Sequence, residues 1–178
     1  MTRVALTGAS GHLGANLLRL LIEKDFDVRA LVNRDARGVE GLRCEQARGS
    51  ILDSESLRAA FSDADIVYHL AAIITLTRDR DGRVWRTNVE GTRNVVDACV
   101  ACGVRRLVYF SSIHAFSAYP LNEVVTEARA LADGRDLPVY DRSKVVGELE
   151  ALEGIGRGVD VVIVNPTAVV GPNDYKPS

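Results

Sequence analysis

The chain of 178 residues is poor in the features that mark several protein classes. It has three cysteines, Cys44, Cys99 and Cys102, an odd count without framework spacing, which argues against a disulfide scaffold and for a reducing compartment. Cys99-Val-Ala-Cys102 matches C-x-x-C, but no second cysteine pair or His-x-x-x-His completes a tetrahedral set. The pair therefore reads as helix packing, and no metal site is expected. Basic clusters are missing too: the formal charge is −2 and no block of five basic residues occurs, so nucleic acid is not an expected partner. No apolar run approaches the length of a membrane span, and a strand pattern starts within the first few residues without a charged leader, so the expectation is a cytoplasmic protein with no membrane partner. What remains, 47% hydrophobic and 26% charged residues, suffices for one domain with a sizeable core.

Short β-branched runs alternate with helical stretches along the whole chain, the sign of βαβ units and a parallel sheet. Strands are predicted over 3–7, 27–32, 42–47, 66–71, 105–110 and 159–165, mostly as near-continuous apolar runs suited to burial on both faces. Helices are predicted over 13–24, 55–61 (capped by Asp53 or Ser54), 83–102 and 140–153, the last two ending where Gly103 and Gly154 stand. This order predicts an α/β, doubly wound Rossmann-type sheet, strand order 3-2-1-4-5-6, in three layers. Residues 116–138 lack a pattern and read as a long loop at the carboxyl ends of the strands, either a substrate lid or a plain connection.

Between the first strand and the first helix stands Thr7-Gly8-Ala9-Ser10-Gly11-His12-Leu13-Gly14. A helix amino terminus offers unpaired N–H groups and a partial positive charge, so a diphosphate binds there if no side chain intervenes. Gly8 allows the tight turn, Gly11 the approach of backbone to phosphate, and Gly14 close packing of helix on sheet. At the end of the second strand, an acid would suit the ribose 2′-hydroxyl of NAD and an arginine the 2′-phosphate of NADP. Asn33 and Arg34 favour NADP there, and the neighbouring Asp35 keeps NAD open.

Lysine is scarce, with only Lys24, Lys144 and Lys176, yet one lies four residues after a tyrosine, so Tyr140 and Lys144 share a helix face. A phenol titrates near 10, and proton exchange at neutral pH requires about three units less, ~4 kcal/mol. An ammonium ~5 Å away at an effective dielectric near 20 supplies ~3 kcal/mol. Tyr140 is thus expected to act as acid or base, with Lys144 lowering its pKa and reaching the nicotinamide ribose. Ser112, at the end of the fifth strand, is chosen to hold the substrate oxygen. Ser111 is expected to bond backbone instead, and His114, lacking an orienting partner, to be wall or surface.

These motifs resemble the short-chain dehydrogenase/reductase superfamily in its extended branch, the NAD-dependent epimerase/dehydratase family, and most of all its dihydroflavonol-4-reductase-like and 3β-hydroxysteroid-dehydrogenase-like members. The likeness is carried by Thr7 to Gly14 as TGxxGxxG, His69-Leu70-Ala71-Ala72, Asn88-Val89-Glu90-Gly91-Thr92-Arg93-Asn94-Val95, Phe110-Ser111-Ser112, Tyr140 to Lys144, and Asn165-Pro166-Thr167-Ala168-Val169-Val170-Gly171-Pro172. It implies cofactor contacts from Thr7, Gly8, Ser10, Gly11, His12, Leu13 and Gly14, a cofactor path lined by Leu70, Ala71 and Ala72, and Pro166 near the nicotinamide. For Asn88 it leaves two readings, a cofactor-side role and a bond to adjoining backbone. Where the family often has Gly-Asp facing adenine, this chain has Gly49-Ser50-Ile51, leaving Ser50 and Ile51 at that position. Relatives usually continue past the Gly-Pro motif into a substrate-binding lobe, so residues 1–178 are expected to be an NAD(P)-binding domain without it, and a homodimer through the two long helices is implied. The expected function is hydride transfer between nicotinamide and a small carbonyl or secondary alcohol. A nucleotide-sugar epimerase or dehydratase that retains NAD, and a non-catalytic nicotinamide-binding regulatory or scaffold module, are the alternatives.

Overall fold

A computed structural model describes residues 2–75, 79–134 and 136–175. Six parallel strands form one sheet in the order β3-β2-β1-β4-β5-β6. They are β1 Arg3–Thr7, β2 Asp27–Val32, β3 Glu45–Arg48, β4 Ile66–His69, β5 Arg106–Phe110 and β6 Asp160–Val164. The expected topology is therefore the observed one. Because strand side chains alternate faces, β1 feeds two cores: Val4 and Leu6 pack with Leu18 and Leu21 of helix α1 (His12–Glu23), whereas Ala5 joins the opposite core with Leu57 and Phe61 of α2 (Ser54–Phe61) and Val95 and Val96 of α4 (Gly91–Ala101). Three layers result.

Helix α2 starts where expected, the Asp53 carboxylate accepting from Glu55 N at 3.0 Å. Its carboxyl end is finished by an unusual device. Arg29 of β2, 9% exposed, donates to the carbonyls of Ala60 at 3.2 Å and Ser62 at 2.7 Å and meets the Glu45 carboxylate at 2.8 Å, so a buried cation satisfies carbonyls that the helix leaves open. Cys99 lies in the core and burial pushes its thiol pKa up, as packing rather than reactivity requires.

Most boundaries shift by one or two residues, and two elements differ by more. Strand β3 begins at Glu45 rather than residue 42 and is largely exposed, because an edge strand needs no apolar run on both faces. The helix predicted over 83–102 is broken: α3 (Arg83–Trp85) leads into a π-helical turn, Arg86–Glu90, before α4. At the end of that turn the Thr92 hydroxyl donates to the Asn88 carbonyl at 2.7 Å, a side-chain bond that competes with the regular ladder. The last helix, α5 (Val139–Leu152), runs beside α4, joined by Arg93 to Glu150 at 2.6 Å. No helix among the described residues is long and apolar enough to cross a membrane.

Candidate active site

The glycine turn is shaped by what it lacks. Gly8 has φ +72°, and a Cβ there would stand 2.6 Å from Ala71 N and 2.7 Å from the Leu70 carbonyl carbon, so the turn is pressed against the segment leaving β4. A Cβ on Gly14 would overlap the carbonyl oxygen of Gly8, which is the close helix-to-turn packing expected. Gly11 is the exposed N-cap of α1, with no side-chain cap and no acidic residue in the first turn. The open N–H groups and uncompensated dipole of the first turn of α1 suit an anionic diphosphate. His12 and Leu13 come next as the first helical residues, and Ser10 is backed by the turn at Gly38, whose Cβ would lie 2.8 Å from Ser10 Cα.

A buried chain of hydrogen bonds runs from this turn to the other end of the site. Ala71 N donates to Thr7 Oγ1 at 3.3 Å, Thr7 Oγ1 meets His69 Nδ1 at 2.7 Å, and His69 Nε2 meets Thr92 Oγ1 at 3.2 Å. The single Thr92 proton goes to the Asn88 carbonyl, so Thr92 accepts from His69 Nε2–H, and Nδ1 accepts from Thr7. That tautomer belongs to a neutral ring, and burial, with Lys144 as a second cause, holds the His69 pKa down to about 3. Asn88 continues the chain: it exchanges bonds with Ile73 N (2.8 Å) and O (2.9 Å) and donates to Ser143 Oγ at 2.9 Å, which donates to the Tyr140 carbonyl at 2.6 Å. Asn88 is 1% exposed. Its bonds to Ile73 agree with the reading of a side chain that bonds backbone, and its amide joins the segment after β4 to α5.

The adenine side also departs from expectation. Ile51 points into the core, 7% exposed, against Gly91, because its neighbour Ser50 is locked into the cap of α2 by bonds with Ser56. Ser50 alone of the two stays half-exposed, as does Leu70, while Ala72 is exposed. At the end of β2, Asn33 and Arg34 are exposed, and Asp35 is gripped by Arg37 through Nε at 3.0 Å and a second nitrogen at 2.8 Å. Arg37, which the sequence pattern did not single out, also lies 5.9 Å from the Tyr175 ring.

At the ends of β5 and α5, Ser112, Tyr140 and Lys144 come together, all buried. Lys144 Nζ donates to the Phe110 carbonyl at 3.0 Å and lies 6.0 Å from the Tyr140 ring centroid and 5.5 Å from that of Tyr109. Burial lowers its pKa to about 8, opposed by the charge of Glu148. The expectation that Lys144 depresses the phenol is corrected: burial raises the Tyr140 pKa, a hydrogen bond from Ser112 draws it down and the Asp141 carboxylate pushes it up. The ammonium is turned to a backbone carbonyl rather than to the phenol oxygen.

Ser111 departs from its expected bond to backbone. Ser112 Oγ accepts from His114 N at 3.2 Å, whereas among the described residues the buried Ser111 hydroxyl has no partner. His114 does have an orienting partner, Asp141, with Nδ1 3.3 Å from its carboxylate, and it stands edge-on to Tyr140 at 5.8 Å between centroids. Pro166 accepts from Ile113 N at 3.0 Å, so the segment after β6 braces the turn that carries His114. Beyond it the loop predicted over 116–138 closes on itself through a Phe116–Leu131 bridge. With His114 and Asp141 it borders a half-open pocket of about 230 Å³ lined chiefly by Ile113, Phe116, Val125, Ala132 and Leu137.

Residues 4–178 match the model of the NAD dependent epimerase/dehydratase family. The chain is 40% identical to sterol demethylase protein B of Methylococcus capsulatus, over 97% of this chain and 53% of that protein. To a 3-beta-hydroxysteroid dehydrogenase of Mycolicibacterium neoaurum it is 31% identical, over 97% of this chain and 49% of that one. Among solved structures it is similar to a short-chain dehydrogenase/reductase superfamily protein of Agrobacterium tumefaciens with bound NAD, at 30% identity and a TM-score of 0.75, over 92% of this chain and 48% of that one. The chain thus spans about half the length of these relatives. With the parallel sheet, the glycine turn and the tyrosine–lysine pair already placed, this match over nearly every residue means that the chain belongs to the NAD dependent epimerase/dehydratase family, in the extended short-chain dehydrogenase/reductase branch.

Proposed function

We propose that residues 1–178 form the NAD(P)-binding domain of an oxidoreductase that interconverts a carbonyl and a secondary alcohol. The observation that carries the reading is the convergence of Ser112, Tyr140 and Lys144, all nine-tenths buried or more, at the end of β5 beside an apolar cavity. The nicotinamide cofactor, when bound, supplies or accepts the hydride. Thr7, Gly8, Ser10, Gly11, His12, Leu13 and Gly14 would hold its diphosphate, where a side chain at Gly8 or Gly14 has no room. Ser112 orients the substrate oxygen, and Tyr140 gives it a proton in reduction or takes one in oxidation. Because burial raises the phenol's pKa, Tyr140 holds its proton at neutral pH, which suits it as the acid of a reductase. Oxidation would call for alkaline conditions.

Exposed Arg34 supports NADP as the preferred cofactor, and so does the engagement of the Asp35 carboxylate by Arg37, since an acid already bound is a poorer partner for ribose hydroxyls. The apolar cavity favours an organic carbonyl over a sugar.

The test is turnover of NADPH with a panel of apolar aldehydes and ketones. Tyr140→Phe should lower kcat by roughly 10²- to 10⁴-fold with folding and cofactor affinity kept. Unchanged turnover would remove Tyr140 from the chemistry. Substrate conversion without net change in reduced nicotinamide would instead identify an epimerase or dehydratase.

A further inference from the structure

We propose that Glu148 is a positioning residue of the Ser112, Tyr140 and Lys144 centre, a buried countercharge one helical turn beyond Lys144 that also holds, through Asn165, the strand end carrying Ser112. The inference rests on the oxidoreductase reading for its functional part and on geometry for the rest. Glu148 is 7% exposed and Lys144 3%, so two opposite charges are enclosed on one face of α5. They do not pair with each other. Each reaches a different point at the end of β5: Lys144 Nζ to the Phe110 carbonyl at 3.0 Å, and Glu148 Oε2 to Asn165 Nδ2 at 2.9 Å, the same nitrogen donating to the Ser112 carbonyl at 3.2 Å. The two grips straddle Ser111.

An amide oxygen at position 148 could still accept the Asn165 bond, though less strongly than a carboxylate, so that one bond is a weak reason to bury a charge, which is costly. Lys144 supplies the reason. The groups acting on it are Tyr109 from β5, Tyr140 and Glu148 from its own helix, and His69 from β4, which is neutral. Of these, only Glu148 bears a carboxyl group. Its field opposes the burial that draws Lys144 toward the uncharged amine.

With only Lys24, Lys144 and Lys176 in the chain, NMR of carbon-13-labelled lysine reads the Lys144 titration directly, with Lys144→Met for assignment. In Glu148→Gln the Lys144 midpoint should fall by about one pH unit, a tenfold loss of proton affinity, with the thermal midpoint nearly unchanged. In turnover the same variant should lose about twofold in kcat at pH 7 and nearly tenfold toward pH 9, recover toward pH 6, and keep cofactor Kd within about twofold. An unmoved Lys144 titration in folded Glu148→Gln overturns the proposal. So does a kcat loss that is the same at every pH, which would make Glu148 a brace. If Glu148→Gln does not fold, Glu148→Asp decides: charge is kept while the Asn165 bond is strained, so Lys144 should titrate within about half a unit of the parent, and a full-unit fall refutes the countercharge. Absence of any turnover in the parent chain would count against the oxidoreductase reading, and the lysine titration would still decide Glu148.

Discussion

The two ends of the site are built on opposite principles. The glycine turn at the head of α1 is made of main chain, and its shape comes from three positions where a side chain has no room or is missing. The corner at the foot of α5 is made of buried polar side chains whose charge states follow pH. A fault in the first is steric and independent of conditions. A fault in the second is electrostatic, graded and visible in a pH profile.

The largest effect expected outside Tyr140 itself comes from adding one methyl group to the steric side. Gly8→Ala sets an L residue at φ +72° and drives its Cβ onto Ala71 and Leu70 backbone. Cofactor affinity should fall by roughly 100-fold, with a loss of about 2 kcal/mol in stability, as read by calorimetry and urea unfolding. Neither loss should change between pH 6 and 9, and a strong pH dependence would break the contrast between the two ends.

His69 tests the electrostatic side in the absence of ligand. Its pKa is lowered from 6.5 to about 3 in the fold, so between those values the unfolded chain binds the extra proton and stability drains away as pH falls from 6.5 toward 3. Urea unfolding should show a loss of about 2 kcal/mol across that window attributable to His69, after allowance for relaxation. His69→Gln should flatten it. An equally steep acid loss in the variant would mean that other groups carry it.

A smaller effect is expected at Arg34. Arg34→Ala should raise the KM for NADPH about tenfold, roughly the worth of one charge-assisted bond, and leave NADH nearly unchanged. A loss shared by both cofactors would place Arg34 away from the 2′-phosphate. The smallest effect is a shift without loss: because the Asp141 carboxylate pushes the Tyr140 pKa up, Asp141→Asn should move the phenol's limb of the pH–rate profile to lower pH. Movement to higher pH would contradict that sign.

What could be read in the sequence obeys the same division. The glycine turn and the Tyr140–Lys144 pair are local patterns, set by spacings of three and four residues, and the sheet order comes from alternation of strand and helix. The partners that decide the chemistry lie far off in the chain. Asn165 meets Ser112 across 53 residues, and Asn88 meets Ser143 across 55. Burial reversed the expected direction for the phenol and turned Ile51 inward, and the placement of α5 beside the turn after β5 gave His114 a carboxylate from another element. His69 stood in a quoted motif, yet only folding shows Thr7 and Thr92 at its two nitrogens.

The π-helical turn at Arg86–Glu90 has a consequence for how this segment can vary. It accommodates one more residue per turn than its flanks, and each added residue rotates the preceding part of the helix by about 100° relative to α4. No point substitution can undo such a phase offset. Excising a single residue there would restore a regular helix and swing the Asn88 amide away from Ile73 and Ser143, so the length of this segment is constrained more tightly than its composition.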